Sequence, residues 1–343
     1  MDIKITKKRF GNLISYDLIK IIIAIVAAIA VWVLLFTTCA TRATVGEQFY
    51  FVIFDGVSFK ENYPYEMIGK LKNENKLSYD VLETSVSAVT AAGNYSALYM
   101  LSLKSATKEG DVIIFNGKRE EVKNEDGTVK KDENGVTKTK VNETAQSVVN
   151  NSYLTSFDEY LVSAKKYLER FLTNGEVDEK AVEDYFLSVR VKQAGNYKKT
   201  YRTAEQKAQG VKNEIERIKT LRSNYLTVVE AIAKADADGV DLYWYCDFAP
   251  SEEYKKEHVP YGIDLYKLNQ KAMETENSGK EKLSDIWYFW EYTENEKGDK
   301  EPVRRSDGLV LSVFNFEKDQ PDLNYESLAV IADAIKTFSY YAD

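Results

Sequence analysis

Cysteine and histidine are scarce in this sequence. Its 343 residues include two cysteines, Cys39 and Cys246, and a single histidine, His258, which lies in a charged run typical of a surface loop. Two cysteines cannot form the disulfide framework of a small secreted domain, and one histidine leaves an ordinary zinc site short of ligands. The sequence also has no Gly-x-Ser-x-Gly elbow and no Gly-rich phosphate loop. We therefore expect a protein that is not an enzyme and that carries no metal and no cofactor.

Basic residues are also in deficit, and the deficit lies outside the N-terminal segment. The chain has 46 Lys and Arg against 54 Asp and Glu, of which six and two lie in residues 1–44, so the remainder carries a net charge of −12. A domain that binds nucleic acid usually presents a basic patch. The sequence therefore argues against nucleic acid as a partner.

One long apolar run stands near the N-terminus. Ile21 to Thr38 (IIIAIVAAIAVWVLLFTT) contains eighteen residues without a charge, a glycine or a proline. About 20 such residues are needed to cross a hydrocarbon core of about 30 Å. The run predicts a transmembrane anchor over residues 19–40 that contacts the lipid bilayer. Cys39 leaves a second interpretation open, in which the segment belongs to a lipoprotein or is a cleaved signal.

Basic residues flank this run mainly on one side. Those that precede it are Lys4, Lys7, Lys8, Arg9 and Lys20, whereas Arg42 alone follows it closely. Lys and Arg concentrate on the cytoplasmic side of a membrane span. We therefore expect a cytoplasmic tail over residues 1–18, a single pass through the cell membrane, and an extracellular domain over residues 45–343.

The first part of that domain alternates between strand and helix patterns. Gln48 to Phe54 (QFYFVIF) and Asp111 to Phe115 (DVIIF) are short apolar runs that end at turn dipeptides and predict strands. Asn94 to Lys108 carries apolar residues at helical spacing and ends near Gly110, which predicts a helix. This alternation predicts an α/β domain in which helices cover a sheet.

A polar, turn-rich segment over residues 118–142 interrupts the alternation. Asp126-Gly127 and Asn134-Gly135 are tight-turn dipeptides, so we expect a solvated hairpin insertion. Its acidic residues lack the ligand spacing of a calcium loop, which argues against a metal site there.

Residues 153–235 form a predicted helical middle. Ser156 with Glu159, and Thr203 with Gln206, have the spacing of capping boxes that begin helices. The second of these helices is long for a globular protein, and Gly210 is a position where it could break.

The chain ends with three strand patterns and a helix. The strands are predicted over Val240 to Phe248, Ile286 to Thr293 and Gly308 to Phe316, and the last two are expected to pair across the polar turn between them. Tyr325 to Tyr341 predicts a final helix with Asn324 as its cap.

The order of these elements resembles that of the bacterial extracellular solute-binding proteins of ABC importers. Their first lobe alternates strands and helices, and an Asp usually starts the third strand, as in YSALYMLSLKSATKEGDVIIF over Tyr95 to Phe115. VPYGIDL, from Val259 to Leu265, is similar to the segment where such chains cross back between lobes. The resemblance implies a two-lobed domain, here a degenerate and membrane-anchored member. It also implies an ABC transporter permease or another envelope protein as the partner.

The resemblance further implies a small polar ligand between the lobes, at the carboxyl ends of strands. Sugars stack their C–H faces on Trp and Tyr and present polar edges to carboxylates and amides, so a carbohydrate suits a cleft that combines these side chains. For the Trp residues the alternative is packing in the core, above all for Trp244, which shares a strand face with apolar neighbours. The candidate ligand-binding residues are Asp55 and Asn116, which follow predicted strands, and the aromatic residues Trp244, Trp287, Tyr288 and Trp290.

Two functions fit these features. The first is a membrane-tethered, solute-binding-like protein that delivers or senses a carbohydrate or another small polar ligand. The alternative is a non-catalytic extracytoplasmic scaffold domain of a cell-envelope complex, which would dock a partner protein on an exposed apolar patch.

Overall fold

The computed structural model describes residues 11, 20, 22–33, 47–54, 56–89, 94–124, 126–192, 200–251, 253–276, 278–294, 299–315 and 325–342. The chain divides into two compact units, Met1–Thr44 and Val45–Asp343.

Residues 22–33 of the first unit are helical. Among the residues that the structure describes, no helix combines the length and the apolar character that a membrane span requires. The N-terminal transmembrane helix predicted over residues 19–40 is therefore wrong as part of this fold. Cys39 and most of the tail over residues 1–18 lie outside the described residues.

The second unit contains the strands and helices that position the site. Its strands are β1 (Gln48–Phe54), β2 (Ser58–Phe59), β3 (Glu83–Val89), β4 (Val112–Asn116), β5 (Arg119–Glu121), β6 (Thr139–Val141), β7 (Leu172–Thr173), β8 (Glu176–Val177), β9 (Tyr243–Ser251), β10 (Tyr254–Asp264), β11 (Trp287–Glu294), β12 (Lys300–Arg305) and β13 (Leu309–Val313). Its helices are α1 (Tyr63–Asn73), α2 (Asn94–Thr107), α3 (Glu143–Asn150), α4 (Phe157–Glu169), α5 (Glu179–Ser188), α6 (Ala204–Ala237), α7 (Leu265–Glu274), α8 (Leu283–Ile286) and α9 (Ser327–Phe338), and a 3₁₀ turn covers Arg190–Lys192.

A mixed six-stranded sheet in the order β3-β1-β4-β13-β10-β9 organises this unit. β1 is parallel to β3 and β4, whereas β13 is antiparallel to β4 and β10. The domain therefore has the α/β character expected from the sequence. The predicted two-lobed arrangement is wrong, because Val45–Asp343 forms a single compact unit.

Helices cover both faces of the sheet. Side chains alternate along β1, so Phe51 and Ile53 face one side while Val52 and Phe54 face the other. The first side packs against α1, α4, α6, α7 and α9, and the second against α2 and α3. Because both faces are covered, β1 and β4 are apolar on both sides, as central strands usually are.

A second, three-stranded sheet has the order β12-β11-β2. β11 pairs with β12, with Trp290 opposite Arg304. The predicted pairing of β11 with β13 is therefore wrong. All five residues of β13 are buried, whereas β12 is largely exposed. A strand without a polar face needs a covered, central position, and β13 obtains it between β4 and β10.

Two predicted capping boxes have different outcomes. At α6, Thr203 Oγ1 accepts a hydrogen bond from the Gln206 N–H, and the Gln206 side chain accepts one from the Thr203 N–H, which confirms the box. At α4, Ser156 makes no capping hydrogen bond and its hydroxyl instead donates to the Asp158 carboxylate. The nearer acceptor at Asp158 displaces the box predicted with Glu159.

Gly210 does not break α6, which is a continuous helix of 34 residues. A Cβ at this position would lie 2.3 Å from Phe186 Cζ. The glycine therefore allows α5 and α6 to pack closely, and the break expected at Gly210 is wrong. Asn324, the predicted cap of the final helix, lies outside the described residues.

Candidate ligand-binding groove

The predicted site residues do not converge on one cleft. Asp55 lies outside the described residues. Asn116, at the end of β4, accepts a hydrogen bond from the Lys118 N–H on Oδ1 at 3.0 Å, and its carbonyl accepts one from Asn142 Nδ2 at 2.8 Å. Asn142 is the N-cap of α3, so Asn116 fastens the turn after β4 to the start of that helix.

Trp244 lies on β9, and its side chain packs against the end of β4. Its side chain is 5% exposed, its ring meets Phe115 edge-on at 5.3 Å, and Nε1 donates to the Gly117 carbonyl at 2.9 Å. A Cβ at Gly117 would lie 2.7 Å from Trp244 Nε1. Trp244 therefore supports the wall of the groove described below and belongs mainly to the core.

The remaining predicted aromatics lie together on β11. Trp287 is 3% exposed and packs against the rings of Phe51, Phe59 and Tyr63, which places it in the core. Tyr288 is buried, whereas Trp290 is 47% exposed. Of these three side chains, Trp290 has the most surface available to a ligand or partner.

An open groove of about 700 Å³ lies at the edge of the main sheet where β4 and β10 end and β9 and β13 begin. Its volume is within the range of about 300–1,000 Å³ that is usual for small-molecule sites. Its charged lining residues are Lys118, Arg119, Lys267, Asp241, Asp264 and Asp307, and its aromatic lining residues are Tyr243, Trp244, Tyr245 and His258.

A stacked pair of rings forms one wall of the groove. The rings of Tyr245 and His258 lie 3.9 Å apart with an interplanar angle of 6°. His258 sits where the β9–β10 register shifts, with a left-handed φ of 55°, and its N–H donates to Asp247 Oδ1 at 2.9 Å. The irregularity therefore turns the histidine ring onto Tyr245. His258 was expected in a surface loop, but it lies in β10 and lines the groove.

The cations of the groove are held in place by acceptors around its rim. Lys118 Nζ pairs with Glu291 and, at 3.1 Å, with Asp307. Arg119 Nη2 donates to the Tyr245 carbonyl at 3.0 Å. Lys267 Nζ donates to the carbonyls of Asp241 and Tyr243, at 3.0 and 3.4 Å.

Two of the three acids of the groove, Asp264 and Asp241, accept hydrogen bonds from backbone N–H groups. Asp264 ends β10 and caps α7, where Oδ1 accepts the N–H groups of Tyr266 and Lys267 at 3.0 and 3.1 Å. Burial raises the pKa of Asp264 in spite of these bonds. Asp241 accepts the Tyr243 N–H at 2.9 Å. Burial and the neighbouring Asp241 carboxylate raise the pKa of Tyr245 to about 12, so its hydroxyl stays protonated at neutral pH.

The groove combines side chains of three kinds. Cationic donors and carboxylate acceptors line the groove together with a stacked aromatic pair. Within the described residues, no group of three or more His, Cys, Asp or Glu side chains is arranged to hold a metal ion. The groove can therefore offer hydrogen bonds of both kinds together with an apolar contact surface.

Sequence reasoning missed most of these residues. A local signal existed for Asp264, which directly precedes the helical run LYKL and is a favoured N-cap residue. The remaining groove residues come from segments far apart in the chain, so no local pattern joins them.

No protein-family model matches the chain, and neither curated proteins nor solved structures provide a match. The resemblance to solute-binding proteins therefore stays a prediction from the order of the elements.

Proposed function

We propose that the unit Val45–Asp343 is a non-catalytic binding domain that holds a small, neutral, polar ligand, such as a carbohydrate, in the groove at the ends of β4 and β10. The observation that carries the proposal is the combination of fixed donors, fixed acceptors and a stacked aromatic pair in about 700 Å³. Closure of two lobes is not part of it, because the domain has one central sheet. Delivery of the ligand to an ABC transporter permease stays a prediction from the resemblance.

The charges of the groove favour a neutral ligand. Three cations, Lys118, Arg119 and Lys267, face three carboxylates that belong to Asp241, Asp264 and Asp307. A ligand with a net charge would gain at one group and lose at another of opposite sign. A sugar offers hydroxyl groups that both donate and accept, so it can use both kinds of residue.

The aromatic wall favours a ligand with an apolar face. Tyr245 and His258 stack on each other, and Tyr243 meets Tyr245 edge-on with ring centroids 6.0 Å apart. A sugar ring can lay its C–H face against such a wall while its hydroxyl groups reach the rim.

The test is a thermal-shift screen of the full chain against sugars, oligosaccharides, amino acids and short peptides. A ligand at 100 times its Kd adds about 2.7 kcal/mol to the free energy of unfolding. We expect a neutral saccharide to raise the Tm, and Lys267→Met or Tyr245→Ala to abolish that rise. Lys165→Met, at an exposed lysine of α4, is the matched control and should keep it. A rise that survives both groove variants would place the ligand elsewhere and reject the groove.

A second candidate function, an interaction or scaffold domain, is favoured by the outer face of β11 and β12. Arg304 lies over the rings of Tyr288 and Trp290, at 4.4 and 5.5 Å from their centroids, and Tyr292 next to them is 69% exposed. Trp, Tyr and Arg are the residues that most often dominate protein interfaces. This exposed face is the kind of surface on which another protein could dock.

The two candidates make opposite predictions for one pair of variants. In native extracts of cells that produce the protein, a scaffold should migrate as part of a larger complex. The double variant Trp290→Ala with Tyr292→Ala should then reduce the apparent mass, whereas Tyr245→Ala should not. If the protein migrates at the mass of the chain alone, with or without these substitutions, the scaffold candidate is rejected.

A further inference from the structure

A buried ionic cluster in the core shares no residue with the groove. Its members come from the loop between α1 and β3, the 3₁₀ turn, α6 and the residue that precedes α9. Each side chain is at most 8% exposed. The cluster consists of the carboxylates Asp80, Glu214 and Glu326 and the guanidinium groups Arg190 and Arg217.

Glu214 is the best-compensated acid of the cluster. Arg190 Nη1 donates to both of its oxygens at 3.0 and 3.1 Å, and Arg217 donates to it through Nη2 at 2.9 Å and Nε at 3.2 Å. The Tyr79 hydroxyl adds a bond at 2.8 Å. Although burial opposes ionisation, the two arginines lower the pKa of Glu214 to about 2.

Glu326 is compensated far less well. Its Oε2 accepts the Ser78 N–H at 2.7 Å, but Oε1 has no hydrogen bond and its ion-pair contact is with Arg217 Nη1 at 3.6 Å. Arg217 already donates to Glu214 and to the Tyr167 hydroxyl. Burial raises the pKa of Glu326 to about 7, even though Arg217 and the Ser78 N–H act in the other direction.

The charges of the cluster do not balance when every acid is ionised. Among the residues that the structure describes here, three carboxylates then face two guanidinium groups, an excess of one negative charge. An uncompensated buried charge is costly, and the group with the weakest partners is the one that takes up a proton. The groups that act on Glu326 are Arg217 on α6, Arg190 on the 3₁₀ turn, and Asp80 and the Ser78 N–H in the loop before β3. Glu214, Tyr79 and Tyr167 belong to the same network through bonds to the arginines or to Glu214.

We propose that Glu326 is a pH-sensitive latch between the start of α9 and the loop before β3. Its neutral form leaves the cluster balanced and keeps the bond from the Ser78 N–H. Its ionised form places a net negative charge in the core and weakens the attachment of that loop to α9.

The direction of the pH effect follows from the two states of Glu326. Its pKa in the folded protein, about 7, lies above the value of 4.5 for an unperturbed glutamate. The folded state therefore binds the extra proton between these values, and the stabilising contribution is full below pH 4.5 and is lost as the pH rises through 7.

The test compares Glu326→Gln with wild type in thermal unfolding of the full chain between pH 5 and 9. Gln keeps an acceptor for the Ser78 N–H but cannot ionise. We expect the Tm of the variant to approach and then exceed that of wild type as the pH rises. Glu230→Gln, at an exposed position of α6, is the control and should follow wild type. Parallel curves for Glu326→Gln and wild type at every pH would overturn the latch.

A second measurement covers the case in which Glu326→Gln fails to fold. In wild-type protein labelled with ¹³C at the glutamate carboxyl carbons, one resonance should titrate near neutral pH, apart from the others. Amide hydrogen exchange of the loop from Ser78 to Leu82 should accelerate over the pH range in which that resonance titrates. The acceleration should exceed the increase that base catalysis alone produces. Glutamate resonances that all titrate at acid pH would equally reject the proposal.

Discussion

Arg190 and Lys118 each hold two carboxylates, one pair in the core and one at the rim of the groove. Arg190 pairs with Asp80 and Glu214, and its side chain is 1% exposed. Lys118 pairs with Glu291 and Asp307, and its side chain is 35% exposed. Each of these two cations contacts two acids, but the two cations differ in access to water.

Exposure to water should separate the roles of the two sites. In the core, removing a cation leaves carboxylates without solvent, so the ion pairs are needed for the fold whether or not they add net stability. At the rim, water can replace a lost partner, and each charge stays available to a ligand. The same residue types are therefore structural in one region and suited to binding in the other.

The largest effect is expected for Arg190→Met. Losing the guanidinium leaves Asp80 and Glu214 buried with one cation fewer, and breaking a buried pair in this way costs about 3–5 kcal/mol. Urea unfolding of the variant and wild type at pH 7 measures the difference. A loss below about 1 kcal/mol, typical of surface pairs, would show that the cluster tolerates water and would remove the contrast with the groove.

A smaller effect is expected from acid, through Glu214. Its pKa in the folded protein, about 2, is below the unperturbed 4.5, so its stabilising contribution is present above pH 4.5 and is lost as the pH falls through 2. Unfolding free energies measured from pH 6 to 2 should decline in this window, and the decline should be shallower in Glu214→Gln. An equal decline in both proteins would assign acid unfolding to other carboxyl groups.

The smallest effect is expected for Lys118→Met. Its partners Glu291 and Asp307 are 34% and 41% exposed, and exposed pairs contribute about 0–1 kcal/mol. Urea unfolding at low and high salt should show this small difference shrinking as salt screens the charges. A loss as large as that of Arg190→Met would mean that the rim is structural, which would weaken the groove as a binding site.

Much of the local structure could be predicted from the sequence. The strand expected over Gln48 to Phe54 is confirmed with the same bounds, because its uninterrupted apolar residues suit a central strand. The box at Thr203 is confirmed because both partners lie within one helical turn. The box at Ser156 is wrong because a competing acceptor stands two residues away.

The site could be predicted only in part. The strand-end position of Asn116 directed attention to the edge of the sheet that borders the candidate groove. The pairing of β11 with β13 was predicted because the two strands are close in the sequence. It is wrong because β13, which is buried along its whole length, lies between β4 and β10. The aromatic clusters gave no signal of which rings are covered, and Trp287 lies in the core while Trp290 is half-exposed.

The sequence by itself determined the alternation of strands and helices, the α/β class and several helix starts, since these depend on residues within a few positions of one another. Only the tertiary structure decided which strands pair, which rings stack and which charges lose contact with water. These depend on segments as distant as Asp80, Glu214 and Glu326, which meet in one buried cluster. Burial is a property of the packed chain, so neither the ionisation of Glu326 nor the exposure of Lys118 can be derived from the residues next to them.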